Sequence, residues 1–545
     1  STWAIISGSN WNESEAWENT RRGDPGGKSQ RGSGSRRRRD GGFGGIMVRA
    51  SFRRPLTYIL LFGVSLALRG YLALALHFDG LYGQDAYAYY AYGQQLHTAS
   101  AQFQPSPHFY WPLGYPILIA LGLALAGDGP SGPQIVSMIA GAAVSVLAFG
   151  AAVTTSQYLL DDTGPGSIRE RRRKFASAAG VVAWAIVTVC GQLTQSSIVI
   201  MSDTAALMWA TLSGWALLIY GRNRRPGWLA LAALALALAA MTRWQYMGLA
   251  LPWAAFVLFN RPANWRHIAL ATAIGGMALI PQIAYSIHSG ELPTNHEWVQ
   301  EWSPANALSR DFVTPDGKFH YSQAPAEYYA QPLYNVYYMS PAFLPLIALG
   351  LVRLRIAKPV LILLIGWVAI QYGFLSGIPY ENIRFALAFV PPLAVLAGIG
   401  AAWALDSQWR MRAAVATFIT AGLIATLVTT IPILRNFVAL KNNDLAAARW
   451  VEAHVPEKDA SVFCLDLLLT MEHYTALHTV QIYEQTPATL QGKLTRPAYA
   501  VFNLVTTENQ WYGQSPWQIY QWLKDEVGMT AIGTFGAYTL YRINP

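Results

Sequence analysis

Pro112-Leu113-Gly114-Tyr115-Pro116-Ile117-Leu118-Ile119-Ala120-Leu121-Gly122-Leu123-Ala124-Leu125-Ala126 is apolar throughout, and whether it crosses a membrane decides the topology. A helix needs about 20 mainly apolar residues to cross the hydrocarbon core. This run is shorter, and two prolines stand at its start. Eleven other runs are candidate spans: 56–77, 133–157, 176–194, 203–220, 228–242, 246–259, 268–288, 340–353, 359–376, 384–404 and 413–433. If 112–126 stays on one side, the loops on one face collect eighteen Lys/Arg, in the groups 49–54, 169–174, 222–225, 261–266, 353–358 and 410–412. The opposite loops, 78–132, 191–202, 243–245, 289–339 and 377–384, hold four: Arg243, Arg310, Lys318 and Arg384. Lys and Arg concentrate in cytoplasmic loops. The run is therefore read as a re-entrant or interfacial helix, with the N-terminus cytoplasmic and the C-terminus external.

Composition agrees. The 545 residues are 53% hydrophobic and 13% charged, against about 25% charged in a soluble domain. The chain reads as a polytopic α-helical membrane protein of about 11 transmembrane helices. Two cysteines, Cys190 and Cys464, exclude a disulfide framework or a cysteine-based metal site. The net charge of +9 lies in the loops of one face and in the first residues, which argues against a nucleic-acid partner. Residues 1–46, rich in Gly and Ser with the run Arg36 to Arg39, are expected to be a disordered or non-native extension ahead of a start at Met47. Residues 47–435 form the membrane domain. Beyond them, 436–545 carry seven Lys/Arg, ten Asp/Glu and no spanning run. Strand-like stretches at 461–466, 479–484, 498–505 and 534–543 alternate there with helical patterns at 443–454 and 516–527, as in an external soluble α/β domain.

Three features of the Arg-poor face bear chemistry. The loop 78–132 has no Lys or Arg and sets Asp85 among Tyr87, Tyr89 and Tyr90, ahead of Trp111 and Tyr115. A carboxylate partly desolvated among aromatic rings is suited to general-base work, and flat rings stack on sugars; the plainer reading is an aromatic belt at the membrane interface. Asp203, in Ser202-Asp203-Thr204, opens a span, where it is either a helix cap or a second acid. Arg69, Arg243 and Arg384 lie within or beside spans. Charges at such depth face the protein interior or a cavity, and guanidinium groups hold phosphate by paired hydrogen bonds. The alternative is internal ion pairing, for example of Arg384 with Glu381. The loop 289–339, with Trp298, Trp302, Tyr328, Tyr329, Tyr337 and Tyr338, either caps a cleft or sits at the headgroup level. No metal-ligand spacing and no nucleotide motif is placed where it could work.

Gln84-Asp85-Ala86-Tyr87, Pro112-Leu113-Gly114-Tyr115-Pro116, Ser202-Asp203, Thr242-Arg243 and Arg384-Phe385 ahead of Pro391-Pro392 follow in an order and sidedness that resembles the GT-C superfamily of integral-membrane glycosyltransferases. That superfamily includes protein O-mannosyltransferases and the aminoarabinose transferases of lipid A. The likeness spans residues 56–545. It implies an inverting transfer of a sugar from a polyprenyl-phosphate donor to a lipid, glycan or protein acceptor at the external face of the cell membrane. Carried over, Asp85 is the general base and Asp203 a supporting carboxylate or, in some relatives, a metal ligand. Arg243 and Arg384, assigned by position, hold the lipid phosphate. Arg69, Tyr89, Trp111, Tyr115, Tyr380 and Glu381 complete the expected substrate-binding set. Asp85-Ala86 replaces the Asp-Glu pair of many relatives, which leaves sugar and acceptor open. No cofactor is expected; a divalent metal is compatible with the family but not signalled. The alternative function is a transporter or flippase of lipid-linked sugars or other amphiphiles; a receptor would leave the outer arginines unexplained.

Overall fold

The computed structural model describes residues 54–545 except 110, 161–167, 261–263, 291, 495–496 and 545, so the extension expected over 1–46 lies outside the described residues. The first helices are α1 (Arg54–Ala75), α2 (Gln84–Ala101), α3 (Gly114–Ala126), α4 (Ser131–Leu160), α5 (Ile168–Val189), α6 (Gly191–Ile198), α7 (Ser202–Asn223), α8 (Pro226–Thr242), α9 (Ala250–Phe259) and α10 (Trp265–Ser289). Leu344–Leu354, Lys358–Ser376, Val390–Leu405 and the 46-residue Trp409–His454 follow.

Among the described residues seven helices are long and apolar enough to cross a membrane, and an eighth arises if α5 and α6 count as one span bent by 58°. Three of the eleven expected spans, at 228–242, 246–259 and 340–353, are shorter apolar helices, as is α3. The bend follows Val189, where Cys190 leaves the helical conformation and the Gly191 N–H donates to Tyr337 O at 2.8 Å. Val390–Leu405, apolar on every side, runs through the centre of the bundle and is almost wholly buried. By contrast α10 leaves Met277, Ile280, Ile283 and Ile287 exposed, a face suited to lipid rather than water.

The boundary drawn between 435 and 436 falls inside the helix Trp409–His454, which continues unbroken from the apolar body into the C-terminal domain. Loop 289–339 holds a hairpin that the sequence did not announce, β1 (Asp311–Thr314) and β2 (Gly317–His320). The C-terminal sheet comprises β3 (Ser461–Cys464), β4 (His478–Gln481), β5 (Ala498–Asn503), β6 (Met529–Phe535) and β7 (Tyr538–Ile543) in the order β4-β3-β5-β7-β6. β3 pairs in parallel with β4 and β5, and β7 antiparallel with β5 and β6. The single strand expected over 534–543 is thus a hairpin turning at Gly536, whose φ of 58° suits glycine.

Candidate active site

Two carboxylates and two guanidinium groups meet where four segments converge. Asp85 stands in the first turn of α2, after Gly83 at φ 78°, and Asp203 in the first turn of α7. Helix N-termini favour negative charge. Met201 rather than a side chain occupies the cap of α7, so Asp203 is not the cap that its position suggested. Arg243 ends α8, and Arg384 is the second residue of the 3-10 segment Ile383–Phe389. Arg384 Nη2 donates to Asp85 Oδ2, and Arg243 Nη1 to Asp203 Oδ1. Arg384 Nε lies 3.9 Å from Asp203 Oδ2, which joins the pairs into one buried cluster. The pairing of Arg384 with Glu381 considered above gives way to these partners.

Aromatic groups complete the surround. The Arg243 guanidinium lies 4.5 Å from the Phe385 ring centre and 5.9 Å from that of Trp298. Asp203 Oδ2 and Arg243 Nε make no hydrogen bond among the described residues, so the cluster keeps capacity for a ligand. Burial pushes the Asp85 carboxyl up from its ordinary range, and Arg384 opposes the shift.

A cavity of about 150 Å³ opens on this cluster. Asp85, Tyr380, Glu381 and Arg384 are in its wall, together with Gln192, Gln195 and Ser196 of α6 and a group of aromatic side chains. Four of the five Arg-poor loops supply lining residues, and the fifth supplies Arg243 behind them. Tyr89, Trp111 and Tyr115 do not line it: Tyr89 packs on both rings, with centroids 4.5 Å and 5.1 Å away, and its hydroxyl meets Ser202 Oγ at 3.1 Å. These rings support the cluster from behind. Gly114 brings α3 against the end of α8, where a Cβ would stand 2.7 Å from Met241 O, and this fixes Arg243 relative to the aromatic group. Arg69 is also outside the cavity, buried in α1 with Nε on Ser197 Oγ at 3.1 Å and Nη1 on Ser65 O at 2.8 Å.

The tyrosines of loop 289–339 hold the chain that delivers Arg384. Tyr329 donates to Tyr380 O at 2.6 Å and accepts from Asn382 N at 3.3 Å, while Tyr338 donates to Ile383 O. Tyr321 accepts from Glu381 N at 3.4 Å. Non-helical backbone buried inside the protein needs such partners. Neither this role nor that of α6 shows in a hydrophobic pattern. Glu381 is buried with Oε1 unpaired among the described residues, and burial with Glu327 nearby pushes its carboxyl up to about 8. No three His, Cys, Asp or Glu side chains gather to hold a metal among the described residues.

No family model and no curated protein matches this sequence. Among solved structures, ArnT from Cupriavidus metallidurans bound to undecaprenyl phosphate is similar, with a TM-score of 0.58 at 14% identity over 90% of this chain and 98% of that one. The apo state of that enzyme gives the same values. The chain shares its fold with that enzyme. The oligosaccharyltransferase of Archaeoglobus fulgidus, in complex with Zn and sulfate, is similar more loosely, with a TM-score of 0.53 at 11% identity over 82% of this chain and 68% of that one.

Proposed function

We propose that the chain is a membrane glycosyltransferase that moves a sugar, with inversion, from a polyprenyl-phosphate donor to an acceptor at the external face of the cell membrane. The observation that carries this reading is the ion pair of Asp85 with Arg384 in the wall of one cavity. The similarity of the fold to an enzyme solved with undecaprenyl phosphate supports the donor class. The external side rests on the four-to-eighteen distribution of Lys and Arg.

In this reading Asp85 takes the proton of the acceptor nucleophile, whose electron pair forms the new bond to the anomeric carbon. The bond from that carbon to the phosphate oxygen breaks on the opposite face, and the lipid phosphate departs with its electron pair. As Asp85 is neutralised, the charge of Arg384 loses its partner just when negative charge grows on the leaving phosphate. Arg243, held by Asp203, adds a second positive centre behind it. One proton transfer therefore switches the electrostatic partner of one arginine.

The test is sugar release from a panel of radiolabelled polyprenyl-phosphate sugars by the purified protein in nanodiscs, with membrane extract as acceptor source. Release by the wild type supports the enzyme. Binding of a donor without release supports the transporter alternative and overturns this reading.

Two further outcomes follow. Glu381 is neutral below about pH 8 and charged above it, so it adds negative charge to the cavity as pH rises and disfavours an anionic donor there. The sign for folding is the same: stability from the neutral form is present below the ordinary carboxylate pKa and lost through about pH 8. The KM for donor is expected to rise between about pH 7 and 9, and Glu381→Gln to flatten that rise; an unchanged slope would detach Glu381 from the donor site. Arg69→Met is expected to leave the donor KM unchanged and to raise the melting temperature, because Arg69 is a fully buried cation with no carboxylate partner among the described residues. A raised KM would return Arg69 to the site.

A further inference from the structure

The C-terminal α/β domain contacts two of the segments that surround the cavity. On one side the hairpin β1–β2 docks on it: Tyr483 donates to Asp316 Oδ1 at 3.0 Å, Lys318 N to Gln510 O at 2.7 Å and Gln514 Nε2 to Thr314 O at 3.0 Å. This hairpin carries Phe319 and leads to Tyr321, both in the cavity wall. On the other side the contact is with the turn that presents Asp85. Asp79, six residues before Asp85, accepts Lys441 Nζ and the Tyr474 hydroxyl on its two oxygens, and Oδ1 also accepts Leu81 N at 3.0 Å.

Lys441 belongs to the long helix Trp409–His454 and is 5% exposed. Its ammonium lies 5.2 Å from the ring centres of both Phe78 and Tyr474. Tyr474 ends the helix Leu468–Tyr474 in the C-terminal domain. Just past Asp85, the Tyr87 and Tyr90 rings stand 5.8 Å and 5.6 Å from His473. The domain thus grips the chain on both sides of Asp85. Between the grips runs a tight turn: Gly80 has φ 93°, and a Cβ there would lie 3.0 Å from Ile200.

We infer that the C-terminal domain is a positioning element of the active site, with Tyr474 and Lys441 as positioning residues that act on Asp85 through Asp79. This rests on the reading of Asp85 as the base. A buried cation satisfied by one carboxylate, and a carboxylate shared by cation, phenol and backbone, form a stiff node. Such a node sets where the α2 N-terminus lies relative to Arg384. An attack geometry displaced by about 1 Å costs up to about 100-fold in rate.

The test uses the full chain in nanodiscs and two independent readouts. Hydrogen exchange of peptides covering 78–90, measured without substrate, is expected to speed up in Tyr474→Phe and in Lys441→Met. Transfer kinetics are expected to show kcat lowered about 10- to 100-fold with an unchanged donor KM, and Lys441→Arg, which keeps the cation, to recover most of kcat. Tyr474→Phe removes one oxygen and leaves the ring, so the comparison does not depend on a variant that fails to fold. Wild-type exchange over 78–90 in both variants overturns the inference, as does faster exchange with wild-type kcat. Faster exchange in a protein whose wild type transfers no sugar upholds the clamp and overturns the enzyme reading alone.

Discussion

Asp85→Asn is expected to lower kcat by about 100- to 10,000-fold, the range a well-placed general base contributes, while donor binding is retained or strengthened. Asparagine keeps the shape and can still accept from Arg384, so fold and expression are expected to hold. It cannot take a proton. Burial already lifts the Asp85 carboxyl from its ordinary range against the pull of Arg384, which brings its basicity closer to what proton abstraction near neutral pH requires. The native cluster sets two carboxylates against two guanidinium groups. The variant therefore leaves the cluster one positive charge in excess, the complement of a bound phosphate. Equilibrium binding of a labelled polyprenyl phosphate alongside single-turnover transfer checks both halves. Full transfer by the variant removes Asp85 from the chemistry. Lost binding with lost transfer would make it a donor-site residue instead.

The residues of this candidate site are legible in the sequence, and their pairing is not. The Arg-poor face, the acids at the starts of two helices and the arginines breaking the charge pattern all depend on composition and sidedness, which a linear chain displays. Asp85 with Arg384, separated by 299 positions, had no local signature, and the nearer Glu381 was the natural rival. Pairing follows from where the 3-10 segment enters the bundle, which tyrosines 45 to 60 residues upstream decide through backbone hydrogen bonds. Hydrophobic periodicity carries no trace of such bonds. The same holds for α6, whose Gln192, Gln195 and Ser196 line the cavity. Its polar sequence looked like a loop because the helix lies in protein and not in lipid. Conversely, the aromatic density around Tyr89, Trp111 and Tyr115 suits either sugar platforms or a belt at the membrane interface, whereas their packing with one another buries them. The change of composition near 435 marks the passage from the apolar body to the C-terminal domain, while the helix itself continues.

Arg384→Gln is expected to lose both stability and transfer, and the way the two losses separate tests the cluster. Arg384 is 10% exposed and Asp85 8% in their side chains. Removing the guanidinium leaves Asp85 buried without its cation and Asp203 with Arg243 alone. Breaking a buried pair from one side costs about 3–5 kcal/mol, so a clear fall in melting temperature is expected. The second variant, Asp85→Asn with Arg384→Gln, carries no orphaned carboxylate at position 85. It is expected to regain much of that stability, because truncating both partners spares the charge desolvation that truncating one imposes. Transfer stays lost in both. Arg384→Lys keeps the charge but not the fork that reaches Asp85 and Asp203 together, and kcat is expected to fall about 100- to 1,000-fold. Arg243→Lys, whose guanidinium stands behind the cavity wall over Phe385, is expected to cost less. Equal losses for the two lysine variants would place the phosphate between the arginines. Stability in the double variant no better than in Arg384→Gln alone would show that the arginine acts by packing, and the electrostatic account of the site would fall with it.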